Sequence, residues 1–117
     1  MIDLTDQWTP TQAEFDAFAM VSGDDNAIHV DHDFASRTAF GRTVSHGMLI
    51  YAKLWGLLRR HHPQARQTQQ TMMFPAPCFA GEAVDLSITG TLPGTLSLRA
   101  SRAADGTEVL VAQTEVA

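Results

Sequence analysis

One segment, from His46 to His62, limits what this chain can fold into more than any other. Its apolar side chains cover most of the circumference of a helix and leave only a narrow polar or small stripe at Lys53, Gly56 and Arg60. A helix that is apolar nearly all round must be enclosed by other structure. Basic residues at its end suit the negative pole of the helix dipole, and Pro63 ends it. We therefore expect a long buried helix with the rest of the chain packed around it.

Several segments outside this helix are predicted to be strands, most clearly where apolar and polar residues alternate. The predicted strands lie at 2–8, 67–74, 84–89, 96–99 and 108–116. Thr11 and Glu14 have the spacing of a capping box, which predicts a short helix that Gly23 stops. The stretch 30–44 is expected to be irregular, with one helical turn at 33–38. These elements predict an α+β fold in which an antiparallel sheet of four or five strands covers one buried helix.

The length, net charge and cysteine content of the chain limit the partners it can bind and the compartment it suits. Residues 1–117 fit a single domain, and their formal net charge of −5 disfavours nucleic acid and anionic membranes as partners. No stretch approaches the ~20 apolar residues of a membrane span, and the first ten residues lack a signal-peptide pattern. Cys78 is the only cysteine, so no intramolecular disulfide can form. We expect a cytoplasmic protein in which Cys78 is a small buried residue and not a nucleophile.

The side chains best suited to chemistry lie ahead of the long helix. A turn-forming run of small, acidic and amide residues, 22–26, comes just before His29. Asp24 and His29 are five residues apart, so on a straight helix they would point in different directions. A turn through 23–26 is therefore needed if both are to serve one site. Imidazole titrates near neutrality and a carboxylate tunes it, so such a pair could hold a water molecule and move its protons.

Two motifs at a fixed spacing resemble those of a known family. They are Phe18-x-x-Val21-Ser22-Gly23-Asp24-x-Asn26-Ala27-Ile28-His29 and Val44-x-His46-Gly47-Met48-Leu49, followed by Phe74-x-x-Pro77 and Gly81-Glu82. Together they are similar to the signature of the MaoC-like (R)-specific enoyl-CoA hydratases, over nearly the whole chain. The resemblance implies a hot-dog fold, in which a curved antiparallel sheet wraps a long helix. It also implies a homodimer, which would hide an exposed edge strand.

The same resemblance implies reversible hydration of a trans-2-enoyl-CoA to the (R)-3-hydroxyacyl-CoA. Asp24 and His29 are then the catalytic pair. Gly47, in the first turn of the buried helix where amides lack an intrahelical partner, is assigned as the oxyanion-hole donor. Asn26 would orient the loop and His46 would support the site. The substrate would be an acyl-CoA or an acyl-carrier-protein thioester, and no cofactor is expected.

Other functions stay open on the sequence alone. Ligands for a metal could come from Asp24, His29, Asp31, His32 and Asp33. Neither a HExxH nor a Cys-rich spacing is present, and helix capping explains Asp31 and Asp33 equally well, so we expect no metal. Thioesterases and acyl-carrier-protein dehydratases of the hot-dog fold place an acid on the central helix, which here has no Asp or Glu. A MaoC-like 3-hydroxyacyl-carrier-protein dehydratase, an acyl-CoA thioesterase and a non-catalytic acyl-thioester binder are the alternatives.

Two expectations concern the shape and charge of the substrate. Trp55 follows Met48 by about two helical turns and shares its face. If that face lines the acyl pocket, the indole should favour short acyl chains; equally, Trp55 could simply pack against the sheet. The phosphates of coenzyme A have five candidate partners by charge: Arg42, Lys53, Arg59, Arg60 and Arg66.

Overall fold

The computed structural model describes residues 1–117, which form five strands and four helices. In chain order the elements are β1 (Ile2–Trp8), α1 (Gln12–Ser22), α2 (Ala27–Val30), α3 (His32–Ser36), α4 (Gly47–His61), β2 (Gln67–Met73), β3 (Val84–Gly90), β4 (Gly94–Arg102) and β5 (Glu108–Val116). Every strand predicted from the sequence is present, and β4 is longer at both ends than the alternation indicates. No helix has the length and apolarity needed to cross a bilayer.

The five strands form one antiparallel sheet in the order β1-β3-β4-β5-β2, and α4 packs on one face of it. Leu54 and Leu58 of α4 are fully buried, as are Ile88 and Leu98 on the strands. Such burial of large aliphatic side chains contributes roughly 1.5–3 kcal/mol each to folding. The predicted α+β arrangement, with a sheet around one long helix, is confirmed.

The enclosure of α4 is incomplete at two of its apolar residues. Six of its residues are buried, but Met48 is half exposed and Ala52 is exposed. The apolar pattern of the helix therefore predicts burial correctly at most positions, including Leu49 and Ile50 in the first turn, but not at Met48 and Ala52. Met48 is exposed because a cavity opens next to the N-terminus of the helix, as described below.

Local hydrogen bonds build the segment ahead of α4. Thr11 and Glu14 form the predicted capping box, and Gly23 ends α1 in the left-handed conformation, with φ +80°. The helical turn predicted at 33–38 is present as α3, and the stretch expected to be irregular also contains the last residue of α2. The Asn26 side chain caps α2 by accepting from the Ile28 amide, and Asp31 caps α3 by accepting from the Phe34 amide. These helices are four and five residues long, too short to show a helical period in the sequence.

Candidate active site

The turn after α1 brings Asp24 and His29 together. Gly23 reverses the chain and Asn26 starts α2, so the Asp24 carboxylate returns toward the imidazole of His29 on α2. The distance between Asp24 Oδ2 and His29 Nε2 is 3.8 Å. Asp24 is exposed, whereas His29 is partly buried. The two side chains are therefore neighbours across a short turn that solvent reaches from the Asp24 side.

Backbone partners determine the tautomer of His29. Its Nδ1 lies 2.8 Å from the carbonyl oxygen of Val44, and the Val44 amide donates in turn to the carbonyl of Ile28. A carbonyl only accepts, so Nδ1 carries the proton and Nε2 presents its lone pair toward Asp24. An imidazole lone pair and a carboxylate oxygen do not hydrogen-bond to each other. At 3.8 Å they can each accept one hydrogen of a single water molecule.

His46 supports both members of the pair. It is 2 % exposed, and its Nε2 donates to the backbone carbonyl of Asp24 at 2.8 Å. Its ring stacks on that of His29, with 3.8 Å between centroids and 23° between planes. The Phe18 ring also packs against His46, with 4.9 Å between centroids and 58° between planes. His46 therefore holds the backbone at Asp24 and limits rotation of the His29 ring.

Gly47 begins α4, and its amide has no hydrogen-bond acceptor within the protein. The helix has 15 residues, so its first amides carry the positive end of a substantial dipole. The residue before it, His46, makes no side-chain cap. A Cβ placed on Gly47 would come within 2.6 Å of Cζ of Phe74. The glycine thus allows the Phe74 ring to pack closely on the start of the helix, and its amide is a free donor next to that ring.

A cavity of about 410 Å³ opens at this end of α4. Its polar wall is formed by Asp24, His46 and Gly47, and its apolar wall includes Phe40, Met48 and Phe74. His29 does not itself line the cavity; it lies behind, against Asp24 and His46. Of the three residues predicted to serve one site, Asp24 and Gly47 lie at the surface of the cavity and His29 lies in the next layer.

The structure separates the two residues suggested for the acyl pocket. Met48 lines the cavity, whereas Trp55 does not. Trp55 packs against the hydrophobic core beside Tyr51, with ring centroids 6.4 Å apart. Although the two share a helix face, seven residues at ~1.5 Å each place Trp55 about 10 Å farther along α4 than Met48. The alternative interpretation of Trp55, packing against the core, matches its position.

The five acidic and histidine residues suggested as metal ligands do not converge. Asp31 caps α3, and Asp33 pairs with Arg37. The cluster that does form is Asp24, His29 and His46, whose donor atoms lie within 4.8 Å of one another. His46 belongs to this cluster because the start of α4 packs against the loop that carries Asp24 and His29. The spacing of these residues in the sequence does not predict that contact.

Three of the five basic residues considered for phosphate binding are engaged in ion pairs. Arg42 pairs with Glu82, and Lys53 pairs with Glu14. Arg60 pairs with Asp6, and this guanidinium holds the pKa of that carboxyl below its usual range. Arg59 and Arg66 make no such pair. Charge alone therefore overstates the number of free cations near the site.

Cys78 lies in the segment after β2 that lines the cavity. Its carbonyl accepts from the Ser45 amide at 2.8 Å, next to a bridge between Val44 and Phe79. Burial raises the pKa of the Cys78 thiol to about 12. The thiol is therefore neutral at physiological pH, and the expectation that Cys78 is a buried residue is confirmed.

Comparison with known proteins places the chain in a family. A family model described as "MaoC like domain" matches residues 2–94. An (R)-specific enoyl-CoA hydratase of Aeromonas caviae is 38 % identical over 81 residues, which cover 68 % of this chain and 60 % of that protein. A 3-hydroxybutyryl-CoA dehydratase of Methylorubrum extorquens is 36 % identical over 73 residues, covering 61 % of this chain and 46 % of that protein. The chain thus spans less than two thirds of the length of these curated relatives.

The fold has a solved counterpart. The structure of an (R)-hydratase from A. caviae, described as involved in PHA biosynthesis, superposes with a TM-score of 0.87 and 28 % identity. The match covers 98 % of this chain and 92 % of that one. With the family model over most of the chain, the antiparallel sheet around one helix is the hot-dog fold that the sequence motifs implied. This chain belongs to the MaoC-like family.

Proposed function

We propose that this protein is a hydro-lyase that adds water across the double bond of a trans-2-enoyl thioester and catalyses the reverse dehydration. The observation that carries the proposal is the pair of acceptors, Asp24 Oδ2 and His29 Nε2, 3.8 Å apart beside a cavity that the free Gly47 amide also reaches. Hydration needs an activated water, a proton for C2 and a donor for the carbonyl oxygen. These groups supply all three.

In the forward direction, one water molecule donates a hydrogen to each member of the pair. As its oxygen attacks C3, the pair takes one proton from the water, and electron density moves through C2 onto the thioester oxygen. The Gly47 amide at the positive end of α4 stabilises that enolate-like oxygen. The proton then passes from the pair to C2. Hydroxyl and proton reach the substrate from the same side, so the addition is syn.

The surroundings of His29 favour this use. The Val44 carbonyl keeps the proton on Nδ1, which leaves Nε2 free to accept. The stacked ring of His46 keeps the imidazole in one orientation without competing for Nε2. An imidazole fixed in this way needs little reorganisation when the water is deprotonated.

The carrier of the acyl group is proposed to be coenzyme A. Coenzyme A thioesters appear in the names of the hydratase and dehydratase relatives, and an acyl-carrier-protein thioester is the second candidate. The thioesterase mechanism of the same fold is disfavoured because α4 carries no acidic residue.

We also propose that the protein forms a homodimer through β2. The sheet has two free edges, β1 and β2. β1 contains Asp3 and Asp6, whereas β2 has no charged residue and ends at the exposed Met73. Charges on an edge strand discourage pairing, so the uncharged edge is the one suited to a second copy.

The test is incubation of the protein with trans-2-butenoyl-CoA. We expect the enoyl absorbance to fall, (R)-3-hydroxybutyryl-CoA to accumulate, and no free thiol of coenzyme A to appear. Release of free thiol would assign the protein to the thioesterases. Binding of the thioester with no change in absorbance would assign it to the non-catalytic binders.

A further inference from the structure

The Phe74 ring occupies the space beside the proposed oxyanion donor. Phe74 directly follows β2, and three of its ring atoms, Cζ, Cε1 and Cε2, lie 2.6 to 2.8 Å from where a Cβ of Gly47 would be. No other atom comes as close to that position. The ring is nevertheless 45 % exposed, because its remaining surface faces the cavity and solvent. Phe74 is thus a wall of the cavity that touches the backbone of Gly47 on one side.

The geometry of a helix N-terminus relates this ring to a bound thioester. In an α-helix the Cα–Cβ bond tilts toward the N-terminus, the same direction in which the first amides point. A ring that fills the Cβ position of Gly47 therefore stands next to whatever the Gly47 amide binds. When that amide binds the thioester carbonyl oxygen, the carbonyl carbon follows, and C2 is bonded directly to it. The Phe74 ring then lies beside C1 and C2, not beside the far end of the acyl chain.

The position of Phe74 is restricted by its neighbours in sequence. Pro75 follows it, and a residue before proline is held to extended backbone conformations. The next residues are tied to the loop ahead of α4 by the hydrogen bond from the Ser45 amide to the Cys78 carbonyl. Met48 lines the same cavity, but its unbranched side chain adapts readily to different shapes. Of these two side chains, Phe74 is therefore the one that can exclude a substrate by its shape.

From this contact we propose that Phe74 is a specificity-determining residue, which restricts the site to enoyl thioesters without a branch at C2. The inference rests on the proposed hydratase function and adds its substrate class, straight-chain at C2. A 2-methyl group would point into the space that the ring fills. Removing the ring opens that space while leaving Asp24, His29 and Gly47 in place.

The experiment compares kcat/KM for trans-2-butenoyl-CoA and its 2-methyl derivative in the wild type, Phe74→Ala and Phe74→Leu. One methyl group in a tight apolar site is worth 10-fold or more in kcat/KM. We expect Phe74→Ala to raise the ratio of branched to straight activity by about tenfold or more, and Phe74→Leu to raise it less. Phe34→Ala is the matched control: Phe34 is 41 % exposed, much like Phe74, but it does not line the cavity. Its ratio should stay within about twofold of the wild type.

The outcomes separate this inference from the function on which it rests. An unchanged ratio in both Phe74 variants, or a wild type that hydrates both substrates equally well, overturns the inference and leaves the hydratase function standing. A wild type that hydrates neither substrate overturns the function, and the inference with it. Because Phe74 is half exposed, both variants are expected to fold; circular dichroism and thermal unfolding check this, and Phe74→Leu carries the test if Phe74→Ala is unfolded.

Discussion

Among single residues, Gly23 has the largest influence on where the reactive groups lie. It ends α1 with φ +80°, a conformation that other residues adopt only with strain, and its amide donates to the Ala19 carbonyl. The chain can then turn so that Asp24 faces the imidazole five residues later. His46, just before α4, holds the turn in this conformation, because its Nε2 donates a hydrogen bond to the Asp24 backbone carbonyl.

Replacing Gly23 with alanine should cost about 1–2 kcal/mol of unfolding free energy through backbone strain alone. Its added Cβ would meet no atom within 4 Å, so no steric clash contributes. Gly56→Ala is the matched control, since Gly56 lies inside α4, also with open space around it, and helix propensity should make that variant about 0.5–1 kcal/mol more stable. Urea unfolding measures both. A Gly23→Ala variant with the same free energy of unfolding as the wild type would show that the backbone at this position is not strained by a side chain.

The Cys78 thiol should not react with alkylating reagents in the native protein at pH 8. Burial raises its pKa to about 12, so almost no thiolate forms at that pH, and the side chain is inaccessible. Mass spectrometry after iodoacetamide treatment should show one added group only when guanidinium is present. Rapid labelling without denaturant would mean that the segment around Cys78 opens.

The sequence predicts some of these residue contacts and not others, for a physical reason. Asp24 and His29 are separated by a turn whose residue types are diagnostic, so their meeting follows from local chemistry. The stacking of His46 on His29 depends on how segments distant in sequence pack together, and so does the packing of the Phe74 ring against Gly47. The sequence alone gives Phe74 no role beyond membership of the motif Phe74-x-x-Pro77.

Among the helices and strands, α4 and the sheet were predictable because each has a long, clear period. The helical turn predicted at 33–38 is present as α3, with Asp31 as its cap. The short α2 was not predicted, because four residues cannot show a period and its formation depends on the side-chain cap from Asn26. The proposal that Trp55 borders the acyl pocket used the correct helix face. What it lacked was the position of the cavity along that face, which only the docking of the segment after β2 defines.

The capping box at Thr11 should stabilise α1 and, through it, the turn that carries Asp24. Thr11 Oγ1 accepts from the Glu14 amide, and the Glu14 carboxylate accepts from the Thr11 amide. Thr11→Ala removes one of these bonds and should cost about 1 kcal/mol of unfolding free energy in urea. Thr11→Ser keeps the hydroxyl and should cost much less. Equal losses in the two variants would show that the cap does not matter.

For the molecule as a whole, the arrangement of the sheet leaves two edges that differ in charge. If β2 is the dimer edge, a lysine there should prevent pairing, since burying an unpaired charge between two strands is unfavourable. Thr71→Lys on β2 should therefore shift the mass in sedimentation equilibrium from that of two chains to that of one. Thr5→Lys places the same charge on an exposed position of β1 and should leave the dimer intact. The reverse pattern would assign the interface to β1.

The central claim is that Asp24 and His29 act together on one water, and kcat for hydration of trans-2-butenoyl-CoA tests it most directly. Asp24→Asn and His29→Gln keep the size of each side chain and should each lower kcat by about 100-fold or more, because each removes a proton acceptor from the water. Asp25→Asn removes the same charge one residue away and should leave kcat within a few fold. Retention of near wild-type kcat by either Asp24→Asn or His29→Gln would contradict the account, as would an equal loss in Asp25→Asn.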